Sequence, residues 1–315
     1  MATATDVTDR AVPPRLRAGD RVRFVSPASP PEREQVARGA EILTSWGLTV
    51  EIGRRAFDRF GHYLAGRDEE RLADLNEALR DPGIRAILAT KGGKGAYRIA
   101  SGLDFAAARR DPTPLVGFSD ITILHLLLWQ RCRLVGLHGP HAGWSDEWYG
   151  DDAAKALRQA LMHPERVTFH QDPEELTARV LVEGRATGVL LGGNLDTIGR
   201  SVGWGCPSFD GAILLIEDVD KGIGATDRTL TQLIESKSLA RLKGVAVGQF
   251  IRTAEARPGK WSIVDLLHDR LAPLGVPVLG GLPIGHGARP PTVPLGTRAT
   301  LDTETRSLTV DPGVR

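Results

Sequence analysis

A chain of 315 residues exceeds the usual size of one hydrophobic core, which predicts two domains. Its 41% hydrophobic and 25% charged residues are those of a soluble globular protein, and a formal net charge of +1 offers no footprint for nucleic acid or an anionic membrane. The only two cysteines, Cys132 and Cys206, stand too far apart for a metal knot or a disulfide framework, and a reducing, cytoplasmic compartment suits them.

Met1 to Pro13 is rich in Ala and Thr with no apolar core, so it reads as a frayed tail and not as a secretory signal. Arg21 to Ser26 reads as a first strand. Pro31 to Trp46 has helical periodicity and is stopped by Gly47. Leu48 to Ile52 is a second strand, and Asp68 to Arg80 a helix ended by the Asp81-Pro82-Gly83 turn. Ile84 to Thr90 is a third strand, Leu115 to Phe118 a fourth and Leu134 to Leu137 a fifth. The longest apolar run, Ile121 to Trp129, is broken by His125 and falls short of a membrane span. Strands alternating with helices imply a parallel sheet covered on both faces, with ligands beyond the carboxyl ends of its strands.

From Trp144 to Asp172 the chain turns polar and acidic around a helix at Asp151 to Leu161. We therefore read residues 14–145 as a first domain, 146–175 as a linker and 176–315 as a second domain. The second half carries short β-like runs at Ala178 to Val182, Gly188 to Leu191, Ala212 to Glu217, Gly244 to Gln249 and Val276 to Gly280. Helical patterns at Thr229 to Ser236 and Ile263 to Leu271 interrupt them, which predicts a mixed α/β domain with a small sheet.

Four segments suggest chemistry. Leu115 to Asp120 runs strand, glycine, serine, helix; that turn would present the Ser119 hydroxyl beside helix N–H groups that lack intrahelical partners. The same residues would serve as an ordinary N-cap. Gly92-Gly93-Lys94-Gly95 follows a strand and precedes a helical stretch, so it is either an oxyanion cradle or a simple tight turn; the spacing of a phosphate loop is absent. Glu217-Asp218 ends an apolar strand, and His286 sits between glycines in a tight loop, a pairing in which the carboxylate could orient the imidazole. His125, mid-helix, reads as structural. His138 and His141 have i, i+3 spacing, but Gly139-Pro140 forbids a metal-binding helix, and we expect no metal.

An ordered set of segments then carries a resemblance: LRAGDRVRFVSPAS (16–29), KGGKGAYR (91–98), VGFSDIT (116–122), LHGP (137–140), LGGNLD (191–196), LIED (215–218), DRTLTQL (227–233) and LPIGHG (282–287). The chain resembles the LD-carboxypeptidases and the related microcin C immunity hydrolases, a serine peptidase family, over almost its whole length. The resemblance implies a flavodoxin-like, parallel-sheet N-terminal domain supplying Ser119 as nucleophile. A smaller mixed α/β C-terminal domain would supply Glu217 as acid and His286 as base. Backbone N–H groups of Gly93 and Asp120 would form the oxyanion hole, without cofactor or metal, in a cytoplasmic homodimer. Two substrates follow: a murein-type peptide that loses a terminal D-amino acid, or a peptidyl- or aminoacyl-nucleotide antibiotic. A non-catalytic two-domain small-ligand-binding protein is a further alternative. The chain departs from the family pattern at Lys91, Lys94, His141 and Gly222 to Thr226, which points to an altered recognition surface. Candidate substrate contacts are Gly92, Lys94, Trp144, Trp148 and Trp204, although tryptophans more often serve as core or dimer contacts.

Overall fold

Strands that alternate with helices and are apolar on both sides need cover on both sides. The computed structural model describes residues 10–253 and 261–315, and its first half meets that need. The chain runs β1 (Arg21–Val25), α1 (Arg33–Ser45), β2 (Thr49–Ile52), α2 (Asp68–Arg80), β3 (Ile84–Ala89), α3 (Ala96–Ile99), α4 (Phe105–Arg110), β4 (Leu115–Val116), α5 (Thr122–Cys132), β5 (Gly136–His138) and α6 (Gly150–Met162). The five strands pair in parallel in the order β2-β1-β3-β4-β5, the flavodoxin-like order. Successive side chains point to opposite faces. Val25, Ile87, Ala89 and Leu115 pack with α2, α3, α4 and α5 on one side. Val22, Phe24, Ala86, Leu88 and Val116 pack with Val36 and Leu43 of α1 and Ala153, Leu157 and Leu161 of α6 on the other. Each fully buried aliphatic side chain contributes roughly 1.5–3 kcal/mol, so the loops leaving this sheet stand on a rigid base.

The chain continues as β6 (Val167–His170), β7 (Leu181–Val182), β8 (Arg185–Asn194), α7 (Leu195–Arg200), β9 (Ala212–Val219), α8 (Ile223–Glu235), β10 (Gly244–Ile251), α9 (Ile263–Leu271), β11 (Val278–Leu279), β12 (Val293–Leu295), β13 (Arg298–Asp302) and β14 (Ser307–Val310). A second sheet has the order β6-β14-β13-β8-β9-β10-β11-β7, parallel from β8 to β11 and antiparallel toward both edges. Strand β12 instead pairs antiparallel with β5, at the edge of the first sheet. Two compact units result. One comprises Arg10–Glu165, Ala288–Gly296 and Pro312–Arg315; the other comprises Arg166–Gly287 and Thr297–Asp311.

Several expectations need correction. Residues 1–9 of the expected tail lie outside the described residues, but Ala11 is not frayed. Its N–H donates to Arg133 O at 3.0 Å and its carbonyl accepts from Val135 at 3.1 Å. The Ala178 to Val182 run is a 3₁₀ turn (Leu176–Arg179) followed by the two-residue β7, because the Val180 N–H donates to Thr177 O at 2.9 Å while the Thr177 hydroxyl donates to Gly248 O at 2.9 Å. Helix α8 begins at Ile223 and not at Thr229: the Gly222 carbonyl accepts from Ala225 and Thr226 at 2.9 and 3.1 Å, which outweighs the poor helix propensity of Gly224. The second sheet has eight strands where a small one is expected. No described helix is long and apolar enough to cross a membrane.

Candidate active site

The turn after β4 holds its serine in a conformation that serine rarely adopts. Ser119 has φ 63°, in the left-handed region, which costs an L-residue roughly 1–2 kcal/mol and is found where function demands it. The side chain is half-buried and caps no helix: neither the 3₁₀ turn Ser119–Ile121 nor α5 has a side-chain N-cap bond. The N-cap alternative therefore does not describe this serine. His125 pins the turn from behind, its Nε2 lying 2.9 Å from the Gly117 carbonyl inside the core. Burial pushes the His125 imidazole down to about 4, so it is neutral at pH 7. The His141 ring stacks on Phe118 with centroids 4.4 Å apart, and its Nε2 lies 3.1 Å from Phe118 O. His141 is thus a buried support of the turn, where its departure from the family pattern predicts a place on the recognition surface.

The glycine loop after β3 packs directly against this serine. A Cβ on Gly92 would lie 2.9 Å from Ser119 Cβ and 3.2 Å from its Oγ, so only glycine lets the loop approach so closely. Gly93 has φ 96°, and a Cβ there would fall 2.3 Å from Ser29 Oγ. Ser29 clamps the loop: its N–H donates to Gly92 O at 3.1 Å and its Oγ accepts from Lys94 N at 3.2 Å. The Asp120 carboxylate accepts from the Ala96 N–H at 2.7 Å, tying the serine turn to the start of α3. The buried guanidinium of Arg71 donates to the carbonyls of Pro27 and Gly95, the latter at 3.0 Å, and so braces both neighbouring loops. Lys94 itself is exposed.

In the other unit a histidine meets a buried acid. Glu217, fully buried near the end of β9, places Oε2 2.6 Å from His286 Nδ1. Gly285 makes this approach feasible. It has φ 142°, and a Cβ there would fall 3.1 Å from both Cβ and Oε2 of Glu217. The Gly287 N–H donates to Gln249 Oε1 at 2.7 Å, and Gln249 is held in turn by Glu175. Burial alone pushes the His286 imidazole down. The bonded Glu217 carboxylate, with Asp218 behind it, outweighs burial and leaves the pKa above the ordinary histidine value. Asp218 is pushed up to about 6 by burial, with Glu217 adding to the effect. It accepts from Asn194 Nδ2 at 3.0 Å and from the Asp196 N–H at 3.2 Å, fixing the start of α7.

Ser119, Gly92, Gly93 and Asp120 therefore lie together in one unit, and Glu217 and His286 together in the other. The tryptophans differ in exposure. Trp144 is 2% exposed and packs edge-on against Tyr149 in the core, which leaves it no face for a ligand. Trp148 and Trp204 are exposed, and Trp204 Nε1 donates to Arg200 O at 2.9 Å. Sequence reasoning missed Ser29, Arg71 and Gln249, whose work is to hold loop carbonyls and N–H groups far along the chain. Among the described residues no group of three His, Cys, Asp or Glu side chains could hold a metal ion.

Residues 22–139 match the LD-carboxypeptidase N-terminal domain family and residues 187–301 the LD-carboxypeptidase C-terminal domain family. The probable murein peptide carboxypeptidase of Bacillus subtilis is 36% identical over 310 residues, spanning 96% of this chain and 95% of that protein. The microcin C7 self-immunity protein of Escherichia coli is 24% identical over 94% of each chain. Among solved structures, an MccF-like protein from Bacillus anthracis superposes with a TM-score of 0.85 at 25% identity, covering 96% of this chain and 99% of that one.

Proposed function

The chain belongs to the LD-carboxypeptidase family of hydrolases, and we propose that it releases a terminal D-amino acid from a murein-type peptide by a Ser119–His286–Glu217 mechanism. The observation that carries this reading is the 2.6 Å bond between His286 Nδ1 and the buried Glu217 carboxylate. With Nδ1–H directed at Glu217, Nε2 is the proton acceptor. It takes the Ser119 Oγ proton as Oγ attacks the scissile carbonyl carbon. The Gly93 and Asp120 N–H groups stabilise the oxyanion. The imidazolium then protonates the departing amine, the C–N bond breaks, and water, deprotonated by the same Nε2, releases the acyl group and regenerates the serine. Glu217 holds the imidazole and balances its charge without taking the proton.

The family assignment sets aside a non-catalytic binding protein and also supports a homodimer. Two free cysteines suit the cytoplasmic setting we propose. A second substrate reading, an aminoacyl- or peptidyl-nucleotide antibiotic, draws on exposed Trp148 and Trp204, whose indole faces could stack on a base. The test is a panel of a murein tetrapeptide and aminoacyl sulfamoyl adenosines. Wild-type enzyme should release D-alanine from the tetrapeptide, and Ser119→Ala should lose at least about 10³-fold in kcat. Wild-type rates in Ser119→Ala would overturn the mechanism. Turnover of the nucleotides alone would replace the substrate.

A further inference from the structure

An exopeptidase that removes a single residue acts under a geometric constraint. The leaving nitrogen and the terminal carboxylate carbon of its substrate are two bonds, about 2.5 Å, apart. A cation that reads the carboxylate must therefore lie beside the imidazole that protonates the nitrogen.

Asp220 and Arg252 occupy such a place. They directly follow β9 and β10, at the carboxyl ends of adjacent parallel strands, where α/β sheets bind ligands. The Asp220 N–H donates to Ile251 O at 3.0 Å and joins the two strand ends. Arg252 Nε and Nη2 meet Asp220 Oδ1 and Oδ2 at 2.6 and 2.7 Å, a side-on bidentate pair. Both residues have left-handed backbones, φ 56° and 51°. An exposed ion pair alone stabilises too little to account for two such conformations. The side chain of Arg252 is 59% exposed, and among the described residues its Nη1 has no partner. One edge of the guanidinium is thus fixed on Asp220, while among the described residues the other edge is open. The Asp220 carboxyl is held below its ordinary value chiefly by its Arg252 bond and also by His286, so all three belong to one electrostatic group. Lys221, the next residue along, is instead engaged with Asp196 at 3.1 Å.

We propose that Arg252 binds the C-terminal carboxylate of the peptide substrate through its open edge, with Asp220 as the positioning residue that holds the guanidinium. This rests on the peptidase reading above and names the feature of the substrate that makes the enzyme an exopeptidase.

The experiment compares kcat/KM for a murein tetrapeptide with a free C-terminal D-alanine and for the same peptide as its C-terminal amide, using the full chain. Wild type should favour the acid. Arg252→Ala should lose roughly 10- to 100-fold on the acid, mainly in KM, and little on the amide, so that the acid-to-amide ratio collapses. Arg252→Lys should restore part of the ratio, and Asp220→Asn should raise KM for the acid while leaving kcat near wild type. The ratio is taken within one preparation and does not depend on the fraction folded. An Arg252→Ala ratio equal to wild type overturns the inference alone. Wild-type enzyme that cleaves neither peptide overturns the peptidase reading and the inference with it.

Discussion

Gly92→Ala tests how closely the glycine loop governs Ser119. The added methyl would stand 2.9 Å from Ser119 Cβ, 3.2 Å from Oγ and 3.3 Å from His141 Cε1, where ordinary contacts begin at 3.4 Å. Gly92 does not have a left-handed backbone, so alanine adds no strain of its own and the effect falls on the serine. Relieving the closest contact needs a shift of about 0.5 Å. His141 is stacked on Phe118 and Asp120 is bonded to Ala96, so the turn has to move as a whole. Overpacking of this kind costs about 1–3 kcal/mol, and a displacement near 1 Å of a reacting group costs up to about 10²-fold in rate. We expect kcat for D-alanine release to fall by roughly 10- to 100-fold with KM little changed, and the urea midpoint to drop modestly with an unchanged m-value. A Gly92→Ala enzyme with wild-type kcat would refute both the packing argument and the role of Ser119.

Glu217→Gln should reduce kcat by up to about 10⁴-fold, because the amide no longer balances the imidazolium. Since Glu217 is what lifts His286 above its ordinary value, the acidic limb of the pH profile of kcat/KM should move to lower pH in this variant; an unmoved limb would argue against the assignment of the base. His125 should make stability pH-dependent. Its folded pKa, near 4, lies below the unfolded value of 6.5, so only the unfolded chain gains a proton between those values. Stability should therefore fall as pH drops from 6.5 to 4, by about 3 kcal/mol in all. Denaturation of wild type and His125→Gln across that window measures the difference, and equal slopes would contradict it.

The doubly covered sheet was legible because its apolar patterns are long and its punctuation strong: Gly47, the Asp81-Pro82-Gly83 turn and the apolar run of α5 each mark a real boundary. The strands β13 and β14 escaped notice, although Ala299 and Leu301, then Leu308 and Val310, alternate about a polar turn. Four- and five-residue runs with one apolar face give a weak signal when their cross-strand partners lie more than a hundred residues away, as for Leu308 opposite Phe169. Helix α4 carried a readable cap in Asp104, whose carboxylate accepts from Ala107 N at 2.9 Å, ahead of an alanine-rich run. At the site, spacing alone left Ser119 with two readings and did not tell whether Glu217 or Asp218 meets His286. Positive φ at Ser119 and the contact with Glu217 are products of tertiary packing, and no local pattern encodes them.

The edge strand β12 has a consequence for biosynthesis. The serine-bearing sheet ends on Val293–Leu295, and Arg315 exchanges backbone bonds with Arg15 and Pro13. A nascent chain that has emerged only as far as residue 165 has every helix of that unit but leaves β5 with an unpaired edge, open to association with another chain. Closing the unit must wait until residues 293–315 have left the ribosome. A premature stop anywhere before β12 would therefore release a sticky fragment, and dividing the gene at the junction after residue 165 would not yield two self-sufficient halves.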